Sequence, residues 1–126
     1  MESTVYKTKS APNPVGPYSQ AVRRGNVLAV SGQVGLDPAT GKLVEGGIVE
    51  QTRQVLTNLE AILESAGASF ADVVTARIYL TDVADFAPMN EVYGKYLSEP
   101  FPCRTAVFVG LPAGMQIEVD VLAVLD

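Results

Sequence analysis

The spacing of apolar positions changes period several times along the chain, and each change marks an element. Across residues 48–66, Ile48, Thr52, Val55, Leu59, Ile62, Leu63 and Ala66 share one helical face. Glu50, Arg53, Glu60 and Glu64 lie opposite, and Gly67 follows as a C-terminal stop. A second helical stretch puts Phe86, Met89, Tyr93, Tyr96 and Leu97 on one face. Asp82 or Asp85 is its candidate cap, and Pro88, tolerated only in a first turn, sets the regular part near Ala87. Elsewhere the period is two. Residues 18–24 and 27–33 flank Gly25-Asn26, a pair that tolerates positive φ and so predicts an antiparallel hairpin. In residues 73–80, Val74, Ala76, Ile78 and Leu80 alternate with Thr75, Arg77 and Tyr79. Residues 105–109 are short and apolar, and in residues 117–124 Ile117, Val119, Val121 and Ala123 face away from Glu118 and Asp120.

Proline and glycine punctuate these runs. Pro12-Asn13-Pro14-Val15-Gly16-Pro17 cannot be helical, Asp37-Pro38-Ala39-Thr40-Gly41 reads as a turn, and Glu99-Pro100-Phe101-Pro102 forces an extended exit. The resulting order is ββαβαββ, with antiparallel hairpins at both ends and two helices on one sheet face. This is an α+β sandwich. No repeat or linker divides residues 1–126, so one domain is expected.

Composition narrows the chemistry. Fourteen acidic against nine basic residues give a net charge of −5, the reverse of the basic face that a nucleic acid attracts. No apolar run reaches the roughly 20 residues of a membrane span, and the N-terminal MESTVYKTKS has no signal-like apolar region. A lone cysteine cannot form an internal disulfide and suits a reducing compartment, so the expected location is cytoplasmic. With no histidine and one cysteine, His-based triads and His- or thiolate-bound metal sites are excluded. Acid–base work near neutral pH falls to Glu, Asp, Tyr, Lys or a bound water.

Among the residues that remain, Arg104 stands where a proline-stiffened segment becomes a strand. Its planar fork matches a carboxylate; an ordinary surface arginine or an interfacial ion pair is the other reading. Glu118, in an apolar strand, is either a desolvated general base or a solvent-facing strand residue. Asp120 points to the same side and suits a cross-strand pair with Arg77. Tyr18, after the Gly16-Pro17 corner, orients a ligand or covers a core edge. Ser31 donates to an anion or satisfies its turn, and Asn90 contacts the site or its own helix. Cys103, with no base beside it in sequence, reads as a small apolar filler.

The ordered segments GPYSQA (16–21), VSGQVGLDPATG (30–41), YLTDVADFAPMNEVYGKY (79–96), PFPCRTAV (100–107) and LPAGMQIEVDVLAV (111–124) together resemble the Rid family of reactive-intermediate deaminases, also called the YjgF family. The resemblance runs from about Ala11 to Val124. It implies a chorismate-mutase-like fold, a homotrimer with active sites between subunits, and no metal or organic cofactor. It also implies hydrolysis of 2-imino acids, or of enamine tautomers such as 2-aminoacrylate, to 2-oxo acids and ammonia. Position by position, Arg104 matches the family's carboxylate-binding arginine and Glu118 the glutamate near the attacking water. Tyr18, Ser31 and Asn90 match residues that line the site, and the backbone of Thr105 and Ala106 matches a segment that helps place the water. Cys103 replaces a common alanine, Ala106 replaces a cysteine of some members, and the connection from Val109 to Leu111 is one residue shorter than in some. The alternatives within this resemblance are a non-catalytic trimer that binds small carboxylates and regulates a partner, an endoribonuclease, and a holdase chaperone.

Overall fold

The computed structural model describes residues 2–126, and Met1 lies outside them. Six strands and two helices follow one another as β1 (Ser3–Tyr6), β2 (Ala21–Arg24), β3 (Val27–Val34), α1 (Ile48–Ser65), β4 (Val73–Leu80), α2 (Phe86–Tyr96), β5 (Cys103–Phe108) and β6 (Ile117–Val124). The strands form one sheet in the order β1-β2-β3-β6-β4-β5. Only β4 and β5 pair in parallel. This is the expected mixed α+β arrangement with one strand added. β1, a short and mostly exposed Ser-Thr-Val-Tyr stretch, has no alternation to betray it; its backbone zips onto β2 as an edge.

The hairpin of β2 and β3 turns on Gly25-Asn26, with Arg24 opposite Val27. Gly25 alone takes positive φ, at 58°, as in the type II′ class rather than the doubly positive I′ class. The expected C-terminal hairpin is not formed. β5 runs parallel to β4 because α2 intervenes between them, and a βαβ crossover returns the chain in the same direction. β6 then enters the middle of the sheet between β3 and β4, where its apolar alternation fits a central strand. Ile117, Val119, Val121 and Ala123 are all buried, as their spacing predicts.

The core lies between the sheet and the helices. Val55, Leu59, Ile62 and Leu63 of α1 are fully buried together with Leu28, Ile78, Leu80 and Met89. Each such side chain contributes about 1.5–3 kcal/mol of apolar transfer. The helix closes as expected: Ala68 N–H donates to Leu63 O at 2.9 Å and Gly67 N–H to Glu64 O at 3.0 Å. Asp82, not Asp85, provides the side-chain cap; its Oδ1 accepts from Ala84 N–H at 2.9 Å in the single turn before α2. Val74 corrects the predicted alternation. An irregularity between Val73 and Thr75 turns Val74 outward (45% exposed) and Val73 inward. A second bulge, of Ser31 and Gly32 between the Val30 and Gln33 pairings, lets both Val30 and Gln33 point inward.

Candidate active site

The register separates the candidate residues onto two sides of the sheet. Arg104 pairs with Ala76, which pairs with Val121, and Ala76 and Val121 are buried under the helices. Glu118 pairs with Tyr79, which pairs with Val107, on the face that no helix covers. Each residue opens into its own cleft.

The first cleft, of about 300 Å³, is lined by Asn90, Tyr93, Gly94, Phe101, Pro102 and Arg104. The Arg104 guanidinium carbon lies 5.1 Å from the Tyr93 ring centroid and 5.7 Å from that of Phe86. Phe101 extends the aromatic wall, with its centroid 6.4 Å from Tyr93. Among the described residues Arg104 joins neither of the two ion pairs, Arg77–Asp120 and Lys95–Glu91. Its charge is held by ring faces, which occupy none of its N–H donors. Asn90 Oδ1 and Tyr93 Oη are buried with no hydrogen-bond partner. Burial pushes the Tyr93 phenol up, partly offset by Arg104. Of the two backbone positions, Thr105 is exposed on the open face and Ala106 half-buried on the helix side.

The second cleft, of about 390 Å³, gathers Tyr18, Ser31, Gly32, Val34, Pro112, Met115 and Glu118. Buried polar side chains build its walls. Gln20 accepts from Thr8 N–H at 2.7 Å and donates to Pro12 O at 2.9 Å, fixing the proline-rich segment that leads to Tyr18. Val15 N–H donates to Tyr18 Oη at 3.3 Å. Gln51 of α1 clamps the connection before β6, donating to Gly114 O and accepting from Gln116 N–H, each at 2.9 Å. Ser31 Oγ donates to Ser19 O at 2.6 Å, so its proton serves the strand junction and only its lone pairs remain for a ligand.

Glu118 lies against the bulge. A Cβ on Gly32 would collide with the Glu118 carboxylate, so glycine there leaves the space the carboxylate fills. Burial, then the nearby Asp120 charge, pushes the Glu118 carboxyl above the usual carboxylate range. Asp120 itself is paired, taking the cross-strand option with Arg77 that the sequence left open: Arg77 Nε donates to Oδ1 at 2.8 Å and Tyr79 Oη to Oδ2 at 2.9 Å. Sequence reasoning did not single out Gly32, Met115 or Pro112, nor the aromatic partners of Arg104. Phe86 and Tyr93 were legible only as apolar positions of α2. Cys103 is exposed, not a filler of the core.

A model of the family described as Endoribonuclease L-PSP matches residues 8–125. The chain belongs to the Rid (YjgF) family. A RutC family protein of Pyrococcus horikoshii is 52% identical over 117 residues, 92% of this chain and 93% of that protein. A 2-iminobutanoate/2-iminopropanoate deaminase of Capra hircus is 46% identical over 121 residues, 95% of this chain and 88% of that one. RidA from the Antarctic bacterium Psychrobacter sp. superimposes with a TM-score of 0.93 at 46% identity, covering 97% of this chain and 99% of its own. The Rid fold thus extends over both clefts, and no helix is long and apolar enough to cross a membrane among the described residues.

Proposed function

We propose that this chain hydrolyses small 2-imino acids to 2-oxo acids and ammonia, at sites formed between two copies of a homotrimer. The observation that carries the reading is the Arg104 guanidinium, unpaired and stacked on aromatic rings in an apolar cleft. In this reading Arg104 takes the substrate carboxylate bidentately, with Asn90 and the Thr105–Ala106 backbone beside it. Tyr18 and Ser31 line the far side. Glu118 takes a proton from water as the water oxygen bonds to C2, and passes it to the imine nitrogen to give the carbinolamine. On collapse the carbinolamine hydroxyl gives its proton to the nitrogen, which leaves as ammonia as the C2 carbonyl forms. Imines hydrolyse spontaneously, so holding water and C2 together accounts for much of the needed acceleration. The relative named as a 2-iminobutanoate/2-iminopropanoate deaminase, nearly half identical over 95% of this chain, supports the substrate class.

Two observations support the shared site. Arg104 and Glu118 open on opposite faces of the sheet, so one substrate meets both only if another copy supplies the second cleft. The uncovered face also exposes Val5, Val27, Val107 and Val124, an apolar surface suited to packing against further copies. RNA cleavage, which the family description names, fits poorly with a net charge of −5. The test generates 2-imino acids in situ with an amino-acid oxidase and follows semicarbazide-trapped imine. The protein is expected to deplete the trapped imine, and Arg104→Ala to leave it at the protein-free level. Full hydrolysis by that variant would overturn the assignment.

A further inference from the structure

We propose that Asp120 is a positioning residue for Glu118, drawing the neighbouring donors Arg77 and Tyr79 onto itself so that the Glu118 carboxylate stays unpartnered for the attacking water. This rests on the reading above, in which Glu118 handles that water. Tyr79 is the direct cross-strand partner of Glu118, yet its hydroxyl donates diagonally to Asp120 Oδ2 at 2.9 Å. Arg77, the cross-strand partner of Asp120, donates to Oδ1 at 2.8 Å. Both oxygens of Asp120 are thereby occupied. The side chain of Asp120 is 15% exposed and that of Arg77 66%, so the carboxylate sits inward and the cation toward solvent. Among the described residues no hydrogen bond or ion pair engages the Glu118 carboxylate.

A phenol bonded to Glu118 would stabilise its ionised form and weaken it as a base. Tied to Asp120 instead, Tyr79 leaves Glu118 with burial and a nearby anion, both of which favour proton uptake. The charged and titratable groups on the face around Glu118 are Tyr79 and, diagonally, Arg77 from β4, Asp120 from β6 and Tyr18 from the loop before β2. Ser31 and Gly32 of β3, and Pro112 and Met115 of the connection, complete its surroundings without a charge.

The experiment is a 13C-carboxyl NMR titration of Glu118 in the full-length protein, with Glu118→Gln to assign the signal, beside pH profiles of kcat/KM. Asp120→Asn removes the anion, so the Glu118 midpoint and the acid limb are expected to move to lower pH, with kcat reduced and KM near wild type. Arg77→Gln removes the cation and is expected to move both to higher pH. Asp120→Glu is expected to restore the wild-type profile. A merely structural role predicts lost activity in the first two variants with the midpoint unmoved, or moved the same way in both, and either result would overturn the proposal. The midpoint is read without turnover. A wild-type protein that hydrolyses no imine therefore sinks the proposed function while the titration still decides whether Asp120 governs Glu118.

Discussion

The clefts around Arg104 and Glu118 are built by opposite means. Arg104 sits on edge strand β5, exposed, between rings of α2 that hold it without using its donors. Glu118 sits on central strand β6, half-buried, against a bulge and two clamped loops. The difference follows from the charges. A guanidinium stays protonated in any setting, so the fold needs only to orient it and leave its fork free. A carboxylate changes its proton affinity with its surroundings, so burial and neighbours decide how well Glu118 can serve as the proposed base. One cleft is tuned by geometry and the other by environment.

The largest expected effect tests whether the two clefts work as halves of one site. Arg104→Ala and Glu118→Gln are each expected to fall to near background. Co-expressed in equal amounts as a trimer with sites between neighbours, they form hybrids in which one of three interfaces carries both native residues, restoring about a quarter of wild-type activity. No restoration would assign both residues to the same copy.

Glu118→Gln then separates geometry from environment. It is expected to lower kcat by about 10²–10⁴-fold with little change in KM. Because the Glu118 carboxyl is raised above the usual range, its contribution to stability is present below the unfolded pKa of about 4.3 and lost as pH rises through the folded value. At neutral pH the ionised group opposes folding. The variant should therefore melt higher than wild type at pH 7, with the gain shrinking toward pH 4.3; a lower Tm at pH 7 would break the comparison.

Smaller effects probe each wall. Gly32→Ala puts a methyl group where the Glu118 carboxylate lies and is expected to reduce kcat by about 10–100-fold while leaving carboxylate binding intact. Phe86→Leu removes one ring from Arg104, a cation–π contact of about 0.5–1 kcal/mol, so KM should rise about 2–5-fold at unchanged kcat. Steady-state kinetics reads both, and a kcat effect in Phe86→Leu would assign the rings more than orientation.

Local patterns carried much of the fold. The α1 stretch was legible because nearly every apolar side chain serves one face, and β6 because its alternation is unbroken. Gln51, Thr52 and Asn58, also buried on α1, were less so: of these, periodicity marked only Thr52 as inward-facing. Gln51 and Asn58 hydrogen-bond distant loop backbone, and spacing cannot reveal that. β1 was missed because an edge strand can rest on backbone pairing alone. The turned-out Val74 and the Ser31–Gly32 bulge were missed because bulges break the alternation by which strands are read.

By itself the sequence determined the helix faces, the inward side of β6, the Gly25-Asn26 turn and the residue types available for chemistry. These depend on near neighbours, on period, or on composition. Only the tertiary structure decided that β6 enters between β3 and β4, which sets Glu118 beside Tyr79 and the Ser31–Gly32 bulge, and that Arg104 on edge strand β5 lies against the rings of α2. It also decided which ring holds which charge and which oxygen receives each donor. Strand order and side-chain partners are set by packing between segments far apart in the chain, where no local period reaches.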